Sequence, residues 1–184
     1  MFYIVGVINV YLQNSNDMNK KTVLYFDMDN VLVDFKSGLN RVPAELKSQY
    51  DGTDGTKEHV DDIPGIFSLM DPMPGAIEAV KKLAERYDVY ILSTAPWGNP
   101  SAWIDKLQWV KKYFDEPNGT EEDNVFYKRL ILSHHKNLCR QEGAYLIDDR
   151  PKHGASDFDD HWIQFGSERF PDWNAVVDYF NQKA

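Results

Sequence analysis

Residues 22–35 read TVLYFDMDNVLVDF, and this stretch decides the fold. Thr22 to Phe26 is a short run of β-branched and aromatic residues, which is typical of a strand buried on both faces. Asp27 and Asp29 follow at spacing i and i+2, so both carboxylates lie on one side of an extended chain. Two like charges this close are costly unless a cation lies between them or one is protonated. The stretch therefore predicts a buried strand that delivers two carboxylates to one small volume.

Four further apolar runs have the same character as this strand. They are Val89 to Ser93, Arg129 to Leu132, Ala144 to Ile147 and Trp162 to Phe165. Helical periodicity lies between them, with one helix after Pro74, a second over Ser101 to Phe114 and a last one capped by Asp172. Strands that alternate with helices predict an α/β, Rossmann-like fold, in which a parallel sheet carries helices on both faces. Ligands of such folds bind beyond the carboxyl ends of the strands.

Residues 34–73 break this alternation, because they contain turn pairs such as Asp51-Gly52 and Pro64-Gly65 but no clear strand. We interpret them as a small, mostly helical cap inserted after the first strand, where insertions commonly act as lids. The expected catalytic core comprises residues 18–33 and 74–184. Residues 1–17 are expected to form an N-terminal extension outside the fold, and whether it is native is left open.

The composition is that of a soluble globular protein, with 184 residues of which 42% are hydrophobic and 27% charged. The net charge of −9 argues against binding to nucleic acid polymers or to anionic membranes. Cys139 is the single cysteine, so no internal disulfide forms and a reducing cytoplasm is the expected location. Met1 to Leu12 is apolar but too short to span a bilayer, and it lacks the features of a signal peptide.

Polar side chains also follow the later strands. Ser93 and Thr94 end the second strand, and hydroxyl groups there can donate to a phosphate oxygen. Lys136 follows the strand over Arg129 to Leu132, and Asp148 and Asp149 follow the next. Mg²⁺ prefers carboxylate and carbonyl oxygens and keeps waters that phosphate oxygens can replace. The residues therefore predict a Mg²⁺ site with phosphate-binding groups beside it. The five histidines do not form a metal site by their spacing and are expected at the surface or behind the site.

In order along the chain these groups are D-x-D, a hydroxyl, a lysine and D-D, each at a strand end. This order resembles the four motifs of the haloacid dehalogenase superfamily of phosphotransferases. Within it, the chain is similar to the 5'(3')-deoxyribonucleotidases, whose first motif is like DMDGVLADF where this chain has DMDNVLVDF. Their segment like EPLPGAVEAV is matched by Asp71 to Val80. Asn30 stands in place of their usual glycine, and a positive φ is expected there.

The resemblance implies an enzyme, a Mg²⁺-dependent phosphatase that acts on deoxyribonucleoside monophosphates. Asp27 would be the nucleophile that forms an aspartyl-phosphate, and Asp29 the general acid and base. It further implies that Thr94, Ser93 and Lys136 hold the phosphoryl oxygens. The metal ligands would be Asp27, Asp29 through its carbonyl, and the pair Asp148 and Asp149. Phe35 and Phe67 of the cap are candidates to contact the nucleobase.

Three alternatives stay open at this point. A phosphatase of the same superfamily could act on sugar phosphates or other small monoesters. A phosphoacceptor signalling domain uses similar groups around Mg²⁺, although its acidic pair comes from the first strand and its acceptor stands alone. A nucleotide-binding relative without activity would carry the same motifs. The sequence leaves the choice between a monomer and a homodimer open.

Overall fold

The computed structural model describes residues 21–52 and 58–183. The strands in these ranges are β1 (Val23–Phe26), β2 (Val33–Asp34), β3 (Asp71–Pro72), β4 (Asp88–Ser93), β5 (Leu130–Leu132), β6 (Tyr145–Asp148) and β7 (Trp162–Gln164). The α-helices are α1 (Phe35–Leu39), α2 (Ala44–Lys47), α3 (Ala76–Ala84), α4 (Ser101–Phe114) and α5 (Trp173–Gln182). The predicted extension, residues 1–17, lies outside the described residues. No helix among the described residues is both long and apolar enough to cross a bilayer.

Five strands form a parallel sheet in the order β5-β4-β1-β6-β7. The central strand β1 pairs with β4 on one side and β6 on the other, so that Phe26 lies opposite both Ile91 and Ile147. All four residues of β1 are buried, as its unbroken apolar sequence predicts. The α/β, Rossmann-like fold is therefore confirmed. Its register brings the carboxyl ends of β1, β4 and β6 to one edge of the sheet.

Helical segments cover both faces of the sheet, but the two faces differ. Leu24 and Phe26 pack in one cluster with the buried residues of α3, α4 and α5. Val23 and Tyr25 point to the opposite face, where 3₁₀ segments such as Ala155–His161 cover the sheet. The helix α5 begins where its cap was predicted, because the Asp172 side chain accepts a hydrogen bond from the Ala175 amide. Within the described residues, the long helices thus lie on a single face.

The helical elements in the described part of the segment 34–73 are all short. They are α1, α2 and two 3₁₀ turns, Val60–Asp62 and Ile66–Leu69. Its two ends are joined by an antiparallel pair of strands, β2 and β3, in which Asp34 lies opposite Asp71. This pair was not predicted, because two-residue strands are too short to show an alternating pattern. The division of the chain into core and cap stays a prediction.

Three buried side chains from other parts of the chain hold this segment and the turn before it through backbone carbonyl groups. The Trp173 indole donates to the Val31 carbonyl at 2.9 Å, just before the segment, and the Trp109 indole donates to the Met70 carbonyl at 3.0 Å, near its end. Asn99, which is fully buried in the loop after β4, donates its two amide hydrogens to the carbonyls of Asp61 and Ile63 at 3.0 and 2.9 Å. The entry to the segment, its middle and its end are therefore held by side chains from outside it.

Candidate active site

Asp27 lies at the carboxyl end of β1, in the centre of the sheet edge. Its backbone amide continues the parallel ladder by donating to the Ile147 carbonyl at 2.9 Å. The residue is only 3% exposed, so its carboxylate is held in a largely dry environment. Burial alone would raise its pKa, but the ammonium groups of Lys136 and Lys106 outweigh burial and hold the pKa of Asp27 below its ordinary value. Asp27 is thus kept ionised, as a nucleophile requires.

The two acids that follow β6 meet Asp27 as predicted. Carboxylate oxygens of Asp27, Asp148 and Asp149 all lie within 4.8 Å of one another. Burial together with Asp27 raises the pKa of Asp148 to about 7, against the lowering effect of Lys136. The Asp27 Oδ1 atom is buried, and Lys136 Nζ lies 3.0 Å from it as an ion pair. A cluster of three acids whose oxygens converge on one point fits a hard divalent cation.

Lys136 is the buried cation of the cluster, and it lies where the sequence places it, directly after β5. Its Nζ is 2.5 Å from Asp148 Oδ2, and its backbone amide donates to the His153 carbonyl at 2.7 Å. Burial lowers its pKa, but Asp27 and Asp148 outweigh burial and raise the pKa of Lys136 above its ordinary value. The lysine is therefore a positive charge fixed against the Asp27 carboxylate.

Thr94 lines the same cavity from the end of β4. Its hydroxyl donates to the Ser133 carbonyl at 3.0 Å, so a phosphoryl oxygen would have to replace that acceptor.

Asp29 also faces this cavity, and the turn after β1 explains its position. The amides of Val31, Leu32 and Val33 all point to the Met28 carbonyl, which folds the chain back on itself. Asn30 completes the turn with φ of 58°, as expected for the residue at this position. Burial raises the pKa of Asp29 above its ordinary value, Lys106 opposes this, and Asp27 raises it further. A carboxyl group with a raised pKa suits a proton donor.

Three predicted site residues have side chains that do not open to the cavity. Ser93 is fully buried, and its hydroxyl accepts a hydrogen bond from Lys106 instead of facing a phosphate. Phe67 is 2% exposed and packs edge to face against the half-buried Phe35, with 6.1 Å between ring centres. The reason is that Ser93 and Phe67 both point toward helix α4. The predicted phosphate contact of Ser93 and base contact of Phe67 thus differ from the contacts that the structure gives them.

Lys106 is a site residue that sequence reasoning missed. It is fully buried in α4, and its Nζ lies 2.8 Å from Asp29 Oδ1 and 3.1 Å from the Ser93 hydroxyl. A signal for it exists in the sequence. Lys106 falls between Ala102 and Trp109 at helical spacing, on the apolar face of α4. A lysine on that face is almost never buried unless it has a partner.

The cavity has a volume of about 400 Å³, and groups of both charges line it. Asp61 and Asp62 of the segment 34–73 are among its lining residues, together with Arg150, Lys152 and His153. Trp97 stands at the rim with 87% of its surface exposed, edge to face with His134 at 5.8 Å between ring centres. His134 and His153, which were expected at the surface or behind the site, both line the cavity. The cavity can therefore take a phosphate at its base and a larger polar or aromatic group at its mouth.

The family model for the 5' nucleotidase, deoxy (pyrimidine), cytosolic type C protein matches residues 51–170. A protein of Vibrio phage KVP40, provisionally named a 5'(3')-deoxyribonucleotidase, is 49% identical over 163 residues, which cover 89% of this chain and 86% of that protein. A Staphylococcus epidermidis protein with the same provisional name is 35% identical over 179 residues, covering 84% and 93% of the two chains.

Among solved structures, a haloacid dehalogenase-like hydrolase from Xanthomonas campestris superimposes with a TM-score of 0.47 at 14% identity. The match covers 89% of this chain and 96% of that one.

Proposed function

The chain belongs to the 5' nucleotidase, deoxy (pyrimidine), cytosolic type C family, and from this membership we propose that it hydrolyses deoxyribonucleoside monophosphates to nucleoside and phosphate. It is a phosphoric monoester hydrolase. One observation carries the proposal: the carboxylates of Asp27, Asp148 and Asp149 converge, and Asp27 and Asp148 line one cavity together with Lys136 and Thr94. These are the groups that phosphoryl transfer to a carboxylate requires.

The acidic cluster supports Mg²⁺ as the cofactor. Asp27, Asp148 and Asp149 would hold the ion with the Asp29 carbonyl, because oxygens of the three carboxylates lie within 4.8 Å of one another. All of these are oxygen donors, which suit Mg²⁺ rather than a softer metal. When bound, the ion would offset the negative charge that the phosphoryl oxygens bring next to three carboxylates.

Asp27 begins the reaction by attacking phosphorus with one carboxylate oxygen. The new bond joins that oxygen to phosphorus, and the bond from phosphorus to the 5'- or 3'-oxygen of the sugar breaks, which leaves an aspartyl-phosphate. Water then attacks phosphorus and releases inorganic phosphate, so that Asp27 is regenerated. Asp27 suits this role because Lys136 and Lys106 keep it ionised.

Asp29 transfers protons in both steps, first as a general acid and then as a general base. It gives a proton to the leaving sugar oxygen in the first step and takes one from the attacking water in the second. Its raised pKa, caused by burial, is the property that the first of these roles needs.

Lys136 and Thr94 bind the phosphoryl oxygens. The ammonium group of Lys136 already contacts the nucleophile, so charge that develops on the phosphoryl group meets a positive charge fixed in advance.

The mouth of the cavity holds the rest of the substrate. We propose that residues 34–73 act as the cap and that Trp97, rather than Phe67, offers its exposed face to the nucleobase. The carboxylates of Asp61 and Asp62 can accept hydrogen bonds from substrate hydroxyl or amino groups. This pair also favours the second candidate, a sugar phosphate, because a hydroxyl-rich ligand would satisfy both acids. A cytoplasmic location stays part of the proposal.

The test is phosphate release from deoxy- and ribonucleoside monophosphates and from sugar phosphates, with Mg²⁺ or EDTA, by wild type and Asp27→Asn. We expect Mg²⁺-dependent release from deoxynucleotides that disappears in Asp27→Asn, since the amide is a poor nucleophile. Faster phosphate release from sugar phosphates would mean that sugar phosphates are the substrates, while the proposed mechanism would stand. No release from any ester would overturn the proposed function.

A further inference from the structure

Lys106 makes three contacts with its ammonium group, two hydrogen bonds and one contact with an aromatic ring. Its Nζ lies 2.8 Å from Asp29 Oδ1, 3.1 Å from the Ser93 hydroxyl and 4.5 Å from the centre of the Phe67 ring. The three partners come from the turn after β1, the end of β4 and the 3₁₀ turn Ile66–Leu69. A buried ammonium group that is paired in this way is held in position, because leaving a buried charge unpaired would be costly.

The same contacts fix Asp29. One of its oxygens is bound to Lys106, and its side chain is 15% exposed, so the carboxyl group remains partly open to the cavity. Lys106 itself is 0% exposed and cannot touch a substrate in the cavity. Its contact with the reacting groups therefore runs through Asp29, and its charge also helps Lys136 to keep Asp27 ionised.

We propose that Lys106 is a positioning residue that holds the Asp29 carboxyl group in the orientation for proton transfer, and that Phe67 acts through Lys106 rather than by contact with the nucleobase. This inference rests on the proposed function, in which Asp29 protonates the leaving group. The proposal links the segment 34–73 to proton transfer, because Phe67 contacts the Lys106 ammonium group and Lys106 in turn binds Asp29. A cation over an aromatic ring in a dry environment is a favourable contact that a smaller apolar side chain would not supply.

The experiment compares kcat/KM for two phosphate esters in wild type and Lys106→Met. This parameter reports only the steps up to departure of the leaving group. A deoxynucleotide releases a basic alkoxide that needs a proton, whereas p-nitrophenyl phosphate releases a weakly basic phenolate that does not. General acid catalysis contributes about 10²-fold or more. We expect Lys106→Met to lower kcat/KM by roughly 10²-fold for the deoxynucleotide. For p-nitrophenyl phosphate we expect a loss of less than about 5-fold, because Lys136 still keeps Asp27 ionised in the variant.

Phe67→Leu provides a second variant that keeps the lysine, in case Lys106→Met does not fold. We expect the same selective loss, of about tenfold in kcat/KM for the deoxynucleotide with its KM unchanged. Lys111→Met is the matched control, because Lys111 lies on the same helix, is half exposed and pairs with Glu121 at the surface.

Equal losses for both esters, or none, would overturn the inference, and so would a raised KM in Phe67→Leu. The proposed function fails separately, if the wild-type protein releases phosphate from neither ester.

Discussion

Asn99→Asp changes the buried contact between the loop after β4 and the segment 34–73 while keeping the shape of the side chain. The amide donates at 2.9 Å to the Ile63 carbonyl, which lies in a buried region, and at 3.0 Å to the partly exposed Asp61 carbonyl. A carboxylate cannot donate either bond. Leaving the Ile63 carbonyl unpaired costs about 2 kcal/mol, and losing the bond to Asp61 costs about 1 kcal/mol. We therefore expect the free energy of unfolding to fall by about 3 kcal/mol or more at pH 8.

The loss should depend on pH with a definite sign. A carboxyl group introduced at a fully buried position has a raised pKa in the folded state, so it is protonated at acid pH and can then donate one hydrogen bond. Its destabilising effect should therefore be smaller at about pH 5 than at about pH 8. Urea unfolding followed by circular dichroism measures both values, and Asn118→Asp at an exposed position should change stability by less than about 0.5 kcal/mol. A loss below about 1 kcal/mol, or one independent of pH, would refute the role given to Asn99.

Three further predictions follow from the site and its supports. Trp97→Ala should raise the KM for a deoxynucleotide about tenfold by removing a stacking face, but leave the KM for 2-deoxyribose 5-phosphate unchanged; equal changes for both substrates would contradict it. Trp173→Phe should lower the free energy of unfolding, measured with urea, by about 3 kcal/mol, because the buried Val31 carbonyl loses its hydrogen-bond donor. The control Trp103→Phe, at a 42% exposed position, should lower it by less than about 1 kcal/mol. Burial and Asp27 raise the pKa of Asp148 to about 7, so the stability it contributes to the metal-free protein is present below about pH 4 and lost as the pH rises through about 7. Urea unfolding in EDTA should therefore show a smaller loss of stability between about pH 5 and pH 8 for Asp148→Asn than for wild type, by at most about 3 kcal/mol, and identical pH profiles would count against the assignment.

The sheet and the long helices were predictable because each has a strong local pattern. β1 is a continuous apolar run, and α4 spans Ser101–Phe114 with the predicted bounds. The pair of β2 and β3 carries no such pattern, since two residues cannot alternate. The sequence also did not show that α3, α4 and α5 share one face, because periodicity reveals an apolar stripe but not the surface that it meets.

The convergence of Asp27, Asp148 and Asp149 was predictable from topology, since parallel strands end at one edge. The contacts of Ser93, Phe67 and Lys106 were not. Which of two neighbouring hydroxyl groups, Ser93 or Thr94, faces the cavity depends on the twist and register of β4, and the burial of Phe67 depends on how the segment 34–73 folds back on α4.

The two indole hydrogen bonds, from Trp173 to Val31 and from Trp109 to Met70, have a consequence for how such chains can diverge. They hold the chain at Val31, after it leaves the sheet, and at Met70, before it returns. Both donors are side chains of helices elsewhere in the chain. Insertions, deletions and exchanges between these points can therefore accumulate without disturbing the sheet. Phe67 and Lys106 form an exception and must change together. A new segment without an aromatic ring over the Lys106 ammonium group would alter the surroundings of Asp29, the proposed proton donor.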